Sequence, residues 1–455
     1  MRRFARASVA LLTLGVCFLL AVPASSMAAS PQVTLGTIQN LSSDSGASTA
    51  PVIAVSGIHI YVAWEDQTGG KAQTYFTSST NGGASWSTVT KLTLKGGGAS
   101  TTVNAVQMAV SGSYVYLTWR QGGKTAYAVS NNYGTSFAWG ILSDGSAPGQ
   151  GGVGAPKGTM TSQALSTNGT SAYFTWNDAV SSTQQDMEFA ATYDGGAHFT
   201  APVTLATGTL SHEDENAAIG KYVYVVWDAI WFTASNNGGK PGTWSAQVNL
   251  QPTGCKSPCK AREPMISASG SNVYVTYPSD VSGEYQTYVS VSHDYGATFP
   301  NGPQLLSTGV DNTRDVQVAS SGNNVYVTSR GLVHGSTQQY VYVSNDDGNT
   351  FAAPYLLGQE PGSQAGFGDL AVDGNNVYVQ WPHGSPAQIY LAASLNSGTN
   401  WDTAQQVSSS SSGVVACGDP AGGQGPMIAA INGHVYLVWE DTSTGSGDIF
   451  FVASS

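Results

Sequence analysis

One apolar segment recurs eight times along this chain, so the chain has to fold as a set of equivalent units. The copies are His59–Trp64 (HIYVAW), Tyr114–Trp119 (YVYLTW), Ser171–Trp176 (SAYFTW), Tyr222–Trp227 (YVYVVW), Asn272–Tyr277 (NVYVTY), Asn324–Ser329 (NVYVTS), Asn376–Trp381 (NVYVQW) and His434–Trp439 (HVYLVW). Their shared tyrosines, Tyr61, Tyr116, Tyr173, Tyr224, Tyr274, Tyr326, Tyr378 and Tyr436, lie 50 to 58 residues apart. Each copy is rich in Val, Tyr, Ile and Trp and is bounded by Gly, Asn or Ser, which reads as a strand. Its apolar character is nearly continuous rather than alternating, the pattern of a strand buried on both faces. A shorter strand precedes each copy (Pro51-Val52-Ile53-Ala54-Val55 in the first), and two more follow it, ending like Val89-Thr90-Lys91-Leu92. Four strands in a repeat of about 50 residues is the plan of a propeller blade. No stretch shows sustained helical periodicity, so the expected fold is all-β.

Seven repeats carry a second signature between the third and fourth strands. The fullest copies are Ser292-His293-Asp294-Tyr295-Gly296-Ala297-Thr298-Phe299 and Ser344-Asn345-Asp346-Asp347-Gly348-Asn349-Thr350-Phe351. The first runs from Ser79 through Asn81 to Trp86, and others centre on Asn132-Tyr133-Gly134, Asp194-Gly195-Gly196 and Asn396-Ser397-Gly398. The fourth, Ser235-Asn236-Asn237-Gly238-Gly239, has two extra residues before Thr243-Trp244. The chemistry is that of a tight hairpin: Asp or Asn bonds its own backbone, Gly supplies positive φ, and the aromatic packs beneath. This turn resembles the Asp-box (Ser-x-Asp-x-Gly-x-Thr-Trp) of sialidases and related propellers, and the resemblance covers nearly the whole chain beyond its first 29 residues. Four of the seven copies have Asn for Asp, which the turn chemistry tolerates. The resemblance implies that Asn81, Asn132, Asp194, Asn237, Asp294, Asp346 and Asn396 serve folding, on the face away from any ligand site.

The eighth repeat stops after its third strand, Asp448–Ala453, and the segment Val33–Ser42 looks like the fourth strands elsewhere. The N-terminal strand is therefore expected to complete blade eight, closing the ring and removing open sheet edges. Eight blades is the expectation, with seven, one repeat serving another role, as the alternative.

Residues 1–29 have the layout of a secretory signal peptide. Arg2, Arg3 and Arg6 precede an apolar run from Ala7 to Ala24 and small residues through Ala29. A membrane anchor is the rival, since the run could just span a bilayer, but Ser8, Thr13, Gly15 and Pro23 interrupt it. Cleavage is expected, leaving a secreted or cell-surface domain over residues 30–455 with no later membrane span. The leader holds three of the 16 basic residues and none of the 28 acidic ones, so the remainder carries 13 against 28, a net charge of −15. Such a surface repels nucleic acid and anionic lipid. Cys255 and Cys259 are expected to close a small disulfide loop in an oxidising compartment, with Cys417 left over or paired with one of them. No metal-ligand or cofactor signature is present, and a monomer is expected.

Aligning the repeats on the shared tyrosines exposes two columns where chemistry could sit. Eleven and twelve residues before the Tyr, three consecutive repeats place His212-Glu213, Arg262-Glu263 and Arg314-Asp315. Only four arginines follow the leader, and two fall in this column. Carboxylates there suit sugar hydroxyls or acid–base work, and arginines suit a carboxylate gripped bidentately. The same pattern also suits ion pairs that tie blades together around a solvated pore. The second column, just after the recurring strand, is mostly acidic (Glu65-Asp66, Asn177-Asp178, Asp228, Asp280, Glu440-Asp441), as strand caps often are; Arg120, Arg330 and His383 break the pattern. Arg120 and Arg330 are candidates to join Arg262 and Arg314 in binding an anion.

Sialidases hold their substrate's carboxylate with three arginines, whereas here no arginine lies in the first blade and no Arg-Ile-Pro precedes it. The primary expectation is thus a non-catalytic extracellular propeller that binds glycan or protein at the channel mouth. A glycoside hydrolase or lyase using Glu213, Glu263 and Asp315 is the second reading, and a structural cell-surface module the third. Fold alone does not choose among them.

Overall fold

A computed structural model describes residues 33–92, 103–142, 163–181, 184–209, 214–254, 261–281, 283–333, 335–358, 365–415 and 427–455. They form eight antiparallel sheets, one for each repeat, and no α-helix is present among them. Blade one consists of Ser48–Ser56, His59–Asp66, Gln73–Ser79 and Thr90–Leu92, hydrogen-bonded in that order. Six further blades repeat this meander. The first strand of every blade touches the first strand of the next all the way round, including Ser48–Ser56 against Ile428–Ile431 of the last blade. The sheets therefore stand radially around a central channel, as an eight-bladed propeller.

The recurring strand is the second from the axis, and its burial explains its composition. All eight shared tyrosines are buried, and Trp64, Trp119, Trp176, Trp227, Trp381 and Trp439, three residues further on, are fully enclosed between neighbouring blades. Large aromatic rings on both sides of a sheet, packed among Val, Ile, Leu and Ala side chains, bury apolar area that favours folding. Tyr277 and Ser329 replace this Trp in blades five and six, where Ser329 Oγ lies 2.9 Å from the Tyr342 hydroxyl.

The ring closes through both termini. Gln39–Asn40 pairs antiparallel with Asp448–Ala453, placing Gln39 opposite Phe451 and Asn40 opposite Phe450. The Asn40 amide and the Ser42 hydroxyl both donate to the Asp448 carboxylate, at 2.8 and 3.0 Å. The N-terminal segment thus completes blade eight: beyond the regular pairing at Gln39–Asn40, a bridge between Leu35 and Ser454 and backbone bonds from Gly36 N–H to Ala453 O, Leu41 N–H to Ile449 O and Ser455 N–H to Thr34 O extend the contact from Thr34 to Leu41. The sequence reading missed a fifth, two-residue strand in this sheet, Val414–Val415, which pairs with the C-terminal end of His434–Asp441.

Six of the seven recurring turns are hydrogen-bonded as their chemistry requires. In blade five the Asp294 carboxylate accepts from Ser292 Oγ (2.7 Å), Thr298 N (2.8 Å) and Thr298 Oγ1 (2.7 Å), while Ser292 Oγ accepts the Gly296 amide at 2.9 Å. Asn81, Asn132 and Asn396 make the corresponding bonds with a carboxamide oxygen. In the fourth turn the two extra residues change the pattern: Thr243 Oγ1, not the Asn237 side chain, meets Ser235 Oγ at 2.6 Å. Each turn also donates one backbone N–H to the first–second turn of its own blade, as Gly82 does to Ile58 and Tyr295 to Ser271. These two sets of turns therefore share one face of the ring.

Each turn also locks onto the blade before it. The Trp86 ring meets Phe451 edge-on at 4.8 Å, Phe137 meets Phe76 at 4.9 Å, Trp244 meets Phe189 at 4.9 Å and Phe299 meets Phe232 at 5.0 Å. A turn that satisfies its own backbone thereby also seats an aromatic between blades, which couples local chemistry to ring assembly.

Candidate functional site

The opposite face carries the links between blades and the second–third turns. They bond to one another there: Thr313 N–H donates to Tyr285 O at 2.8 Å, Ala365 N–H to Thr337 O at 3.0 Å and Gly366 N–H to Pro382 O at 2.7 Å. The first column of sequence candidates enters the first strands at this face, and its geometry has a backbone cause. Ala50, Ala105, Glu263 and Asp315 all have positive φ, between 52° and 58°. The pairing register slips beside three of them, between Thr49 and Val52, Asn104 and Gln107, and Arg314 and Gln317. A left-handed non-glycine residue is uncommon and costs about 1–2 kcal/mol. Here it is a bulge repeated by the blade architecture, since Ala50 and Ala105 share it with Glu263 and Asp315.

In blades five and six this bulge gathers the arginines. The guanidinium carbon of Arg314 lies 4.5 Å from the centroid of the Tyr285 ring and that of Arg262 lies 5.2 Å from it, so one tyrosine carries both cations. Tyr285 is buried in the second–third turn of blade five. Arg262 Nε stands 3.4 Å from Glu263 Oε1, and Arg330 reaches Asp315 at 2.5 Å. Arg330 also donates to the Ala365 carbonyl at 3.4 Å. Arg314 differs from these two: its Nε donates to Asn312 Oδ1 at 3.3 Å, and among the described residues it meets no carboxylate. Cation–π contact of this kind holds a guanidinium plane in place without neutralising it.

The structure thus brings together Arg262, Glu263, Arg314, Asp315 and Arg330 around Tyr285. It separates Arg120, which belongs to blade two, donates from Nε to Asn104 Oδ1 at 3.1 Å and faces Glu65. His212, Glu213, Cys255, Cys259 and Cys417 lie outside the described residues. No group of three or more His, Cys, Asp or Glu able to hold a metal occurs among the described residues.

Two features of this face escaped the sequence reading. Tyr285 was not singled out; the extra length and the Glu-Tyr pair of the turn Asp280–Gln286 were the available signal. Glu65 and Glu440 were read as strand caps, yet they are embedded groups at the junctions of blades eight, one and two. Glu440 accepts the Ala50 amide and Glu65 the Ala105 amide, each donor being the bulge residue of the next blade. Burial pushes both carboxyls up to about 7; for Glu65 the nearby Arg120 opposes this and Glu440 adds to it. Burial, reinforced by Asp214, pushes Glu215 on the inner strand of blade four up to about 8. The repeated Trp-Glu-Asp of Trp64-Glu65-Asp66 and Trp439-Glu440-Asp441 marked the first two in the sequence.

No family model matches the chain, and no curated protein matches it. Solved propellers align with it at low identity. An ulvan lyase, described as a new family of polysaccharide lyase, aligns over 89% of this chain and 93% of its own at 10% identity and a TM-score of 0.49. The Trypanosoma rangeli sialidase aligns over 90% of this chain and 55% of its own at 11% identity and a TM-score of 0.36. An α-L-arabinanase from Penicillium chrysogenum aligns over 65% of this chain and 98% of its own at 11% identity and a TM-score of 0.38. At these levels the alignments carry no argument about any residue's role.

Proposed function

We propose that this protein is a secreted propeller that binds an acidic glycan at the channel mouth, its carboxylate held by Arg314 and Arg262 over Tyr285. One observation carries the reading: in a chain with four arginines beyond its leader, two converge on one buried tyrosine and one of these has no carboxylate partner among the described residues. A planar, fixed guanidinium is matched to a planar carboxylate, which it can bond through two parallel N–H donors. Glu263 and Asp315 are engaged by Arg262 and Arg330, a role that positions cations rather than transfers protons, and this favours binding over the hydrolase or lyase reading. A protein ligand would have to present a carboxylate to the same arginines. The seven turns are assigned to the Asp-box class, and residues 1–29 to a cleaved leader, for which N-terminal sequencing of the exported product is the direct check.

Calorimetric titration of the chain from residue 30 with oligogalacturonate and sialyllactose tests the binding reading. Arg314→Ala should weaken binding by about 10-fold or more, the value of a charged hydrogen bond. Affinity unchanged in both Arg314→Ala and Arg262→Ala overturns the proposed site. Turnover of fluorogenic glycosides, a sialoside included, that disappears in Glu263→Gln would instead establish an enzyme.

A further inference from the structure

A second concave site lies on the turn face of the ring, at the seam between blades four and five and opposite the face that carries the arginines. It is a cleft of about 500 Å³ bounded by the turns of both blades. Tyr222, which opens the second strand of blade four, and Tyr295, on the turn of blade five, stack at its wall with ring centroids 4.1 Å apart and planes within 12°. Tyr295 is still 40% exposed, so the stack fixes its ring without covering it. Asn236, Thr243 and Asp294 add polar lining.

The turn of blade four differs from the other six. In those, the Asp or Asn side chain accepts both the hydroxyl of the Ser or Thr two residues before it and the amide four residues after it. In blade four, with its two extra residues, Thr243 Oγ1 takes that place, 2.6 Å from Ser235 Oγ, and donates to Lys240 O at 2.6 Å. Asn237 is left bonded through its backbone alone. Neither its carboxamide nor that of Asn236 bonds to any of the described residues, and both residues are exposed. A side chain expected to serve folding is thus offered to solvent instead. The seam of blades one and two is an internal control. Tyr133 stacks there on His59 at 4.3 Å and is 43% exposed, but the neighbouring turn places Thr80 where blade four has Asn236, and spends Asn81 on Ser79 and Ser85. Asn131 and Asn345 hold the position of Asn236 in blades two and six, yet the turns that follow them have Gly195 and Ser397 where Tyr295 stands. Among these turns only the seam of blades four and five joins an exposed aromatic platform to two uncommitted carboxamides.

We propose that this cleft is a subsite for an uncharged saccharide. The apolar C–H face of a sugar ring stacks on Tyr295, and the carboxamides of the blade-four turn exchange hydrogen bonds with its hydroxyls. Each carboxamide offers donors and an acceptor, which suits adjacent hydroxyls that both donate and accept. A concave surface with an aromatic wall and a few reachable polar groups is the usual form of a small-ligand site. Neutrality of the ligand follows from the lining. The Asp294 carboxylate is spent on Ser292 Oγ, Thr298 N and Thr298 Oγ1, and Lys221, its Nζ 5.3 Å from the Tyr222 centroid, does not line the cleft. The site is independent of the channel-mouth reading: it lies on the other face, and its probes carry no carboxylate for the arginines.

The test titrates the chain from residue 30 with cellohexaose, xylohexaose and mannohexaose, followed by calorimetry. At least one should bind saturably. Tyr295→Ala should weaken that binding by about 10-fold or more, and Tyr295→Phe, which keeps the platform, should hold it within about threefold. The double variant Asn236→Ala/Asn237→Ala should weaken it by about fivefold or more, the value of one or two neutral hydrogen bonds. Because neither carboxamide bonds to the described residues, this variant should keep the thermal midpoint of the parent, which separates lost binding from lost folding. Saturable binding by none of the three probes overturns the proposal, as does an affinity unmoved by Tyr295→Ala or by the double variant.

Discussion

Trp86, on the turn of blade one, meets Phe451, in the third strand of blade eight, edge to face at 4.8 Å and 79°. Phe451 is fully buried, opposite Gln39 of the N-terminal strand, whose side chain accepts the Trp86 indole N–H. The first, last and N-terminal segments therefore meet at one aromatic contact. Phe451→Ala should cost about 3–5 kcal/mol, the usual result of emptying a buried aromatic site. Denaturant unfolding measures this, and a loss under 1 kcal/mol would show that the closure does not depend on the ring.

The second prediction concerns the glycines of the turns. Gly296 has φ +79°, and a Cβ added there would meet the Phe232 ring at 2.7 Å; Gly57 has φ +61° with nothing within 4 Å. Both substitutions to Ala are strained by the backbone, at about 1 kcal/mol, but only Gly296→Ala also collides with the neighbouring blade, adding about 1–3 kcal/mol. A side-by-side thermal melt of the two variants checks the ordering. Equal losses would mean that the blades adjust freely at this seam.

The third prediction is a pH profile. A carboxyl whose pKa is higher folded than unfolded binds more protons in the folded chain, so stability declines as pH rises between the two values. Glu65 and Glu440 set that window at about 4.5 to 7, and Glu215 extends it to about 8. Hydrogen bonds within the turns hold Asp194, Asp294 and Asp346 below the ordinary range despite some opposing burial, so their contribution is lost as pH falls through their folded values. Stability should therefore peak near pH 5 and decline toward pH 8. Glu440→Gln keeps an acceptor for the Ala50 amide, and should raise the melting temperature at pH 8 while flattening the decline. A melting temperature that climbs steadily from pH 5 to 8 contradicts this assignment.

The fourth prediction separates charge from geometry at the channel mouth. Arg314→Lys preserves the charge but removes the planar fork and its stacking on Tyr285, so affinity for an acidic oligosaccharide should fall nearly as far as in Arg314→Ala. Full retention in the Lys variant would mean that only net charge attracts the ligand, in which case affinity would also fall steeply with salt.

The fold was legible from periodicity because the blades are equivalent. Each has to bury its second strand on both faces, so the same Tyr-centred apolar strand recurs eight times, ending in Trp in six of them, and the seven turns before fourth strands need the same Ser or Thr, Asp or Asn, and Gly. The absence of a fourth strand after Ala453 likewise pointed to closure by the N-terminal segment, and the pairing of Gln39 with Phe451 realises it. The site was only half legible. The arginine column marked Arg262 and Arg314, but Tyr285, which holds them, sits in a second–third turn whose length varies between blades, so alignment on the tyrosines does not reach it.

The sequence by itself determined the blade, the number of blades and the way the ring closes, since these follow from local burial and turn chemistry repeated along the chain. The tertiary structure decided which repeats face one another across a seam. It placed Arg330 with Asp315 while leaving Arg120 with Glu65, and it turned Glu65 and Glu440 from strand caps into half-buried and buried carboxyls wedged between blades, because ionisation and ion pairing depend on distances between blades that no spacing within a blade encodes.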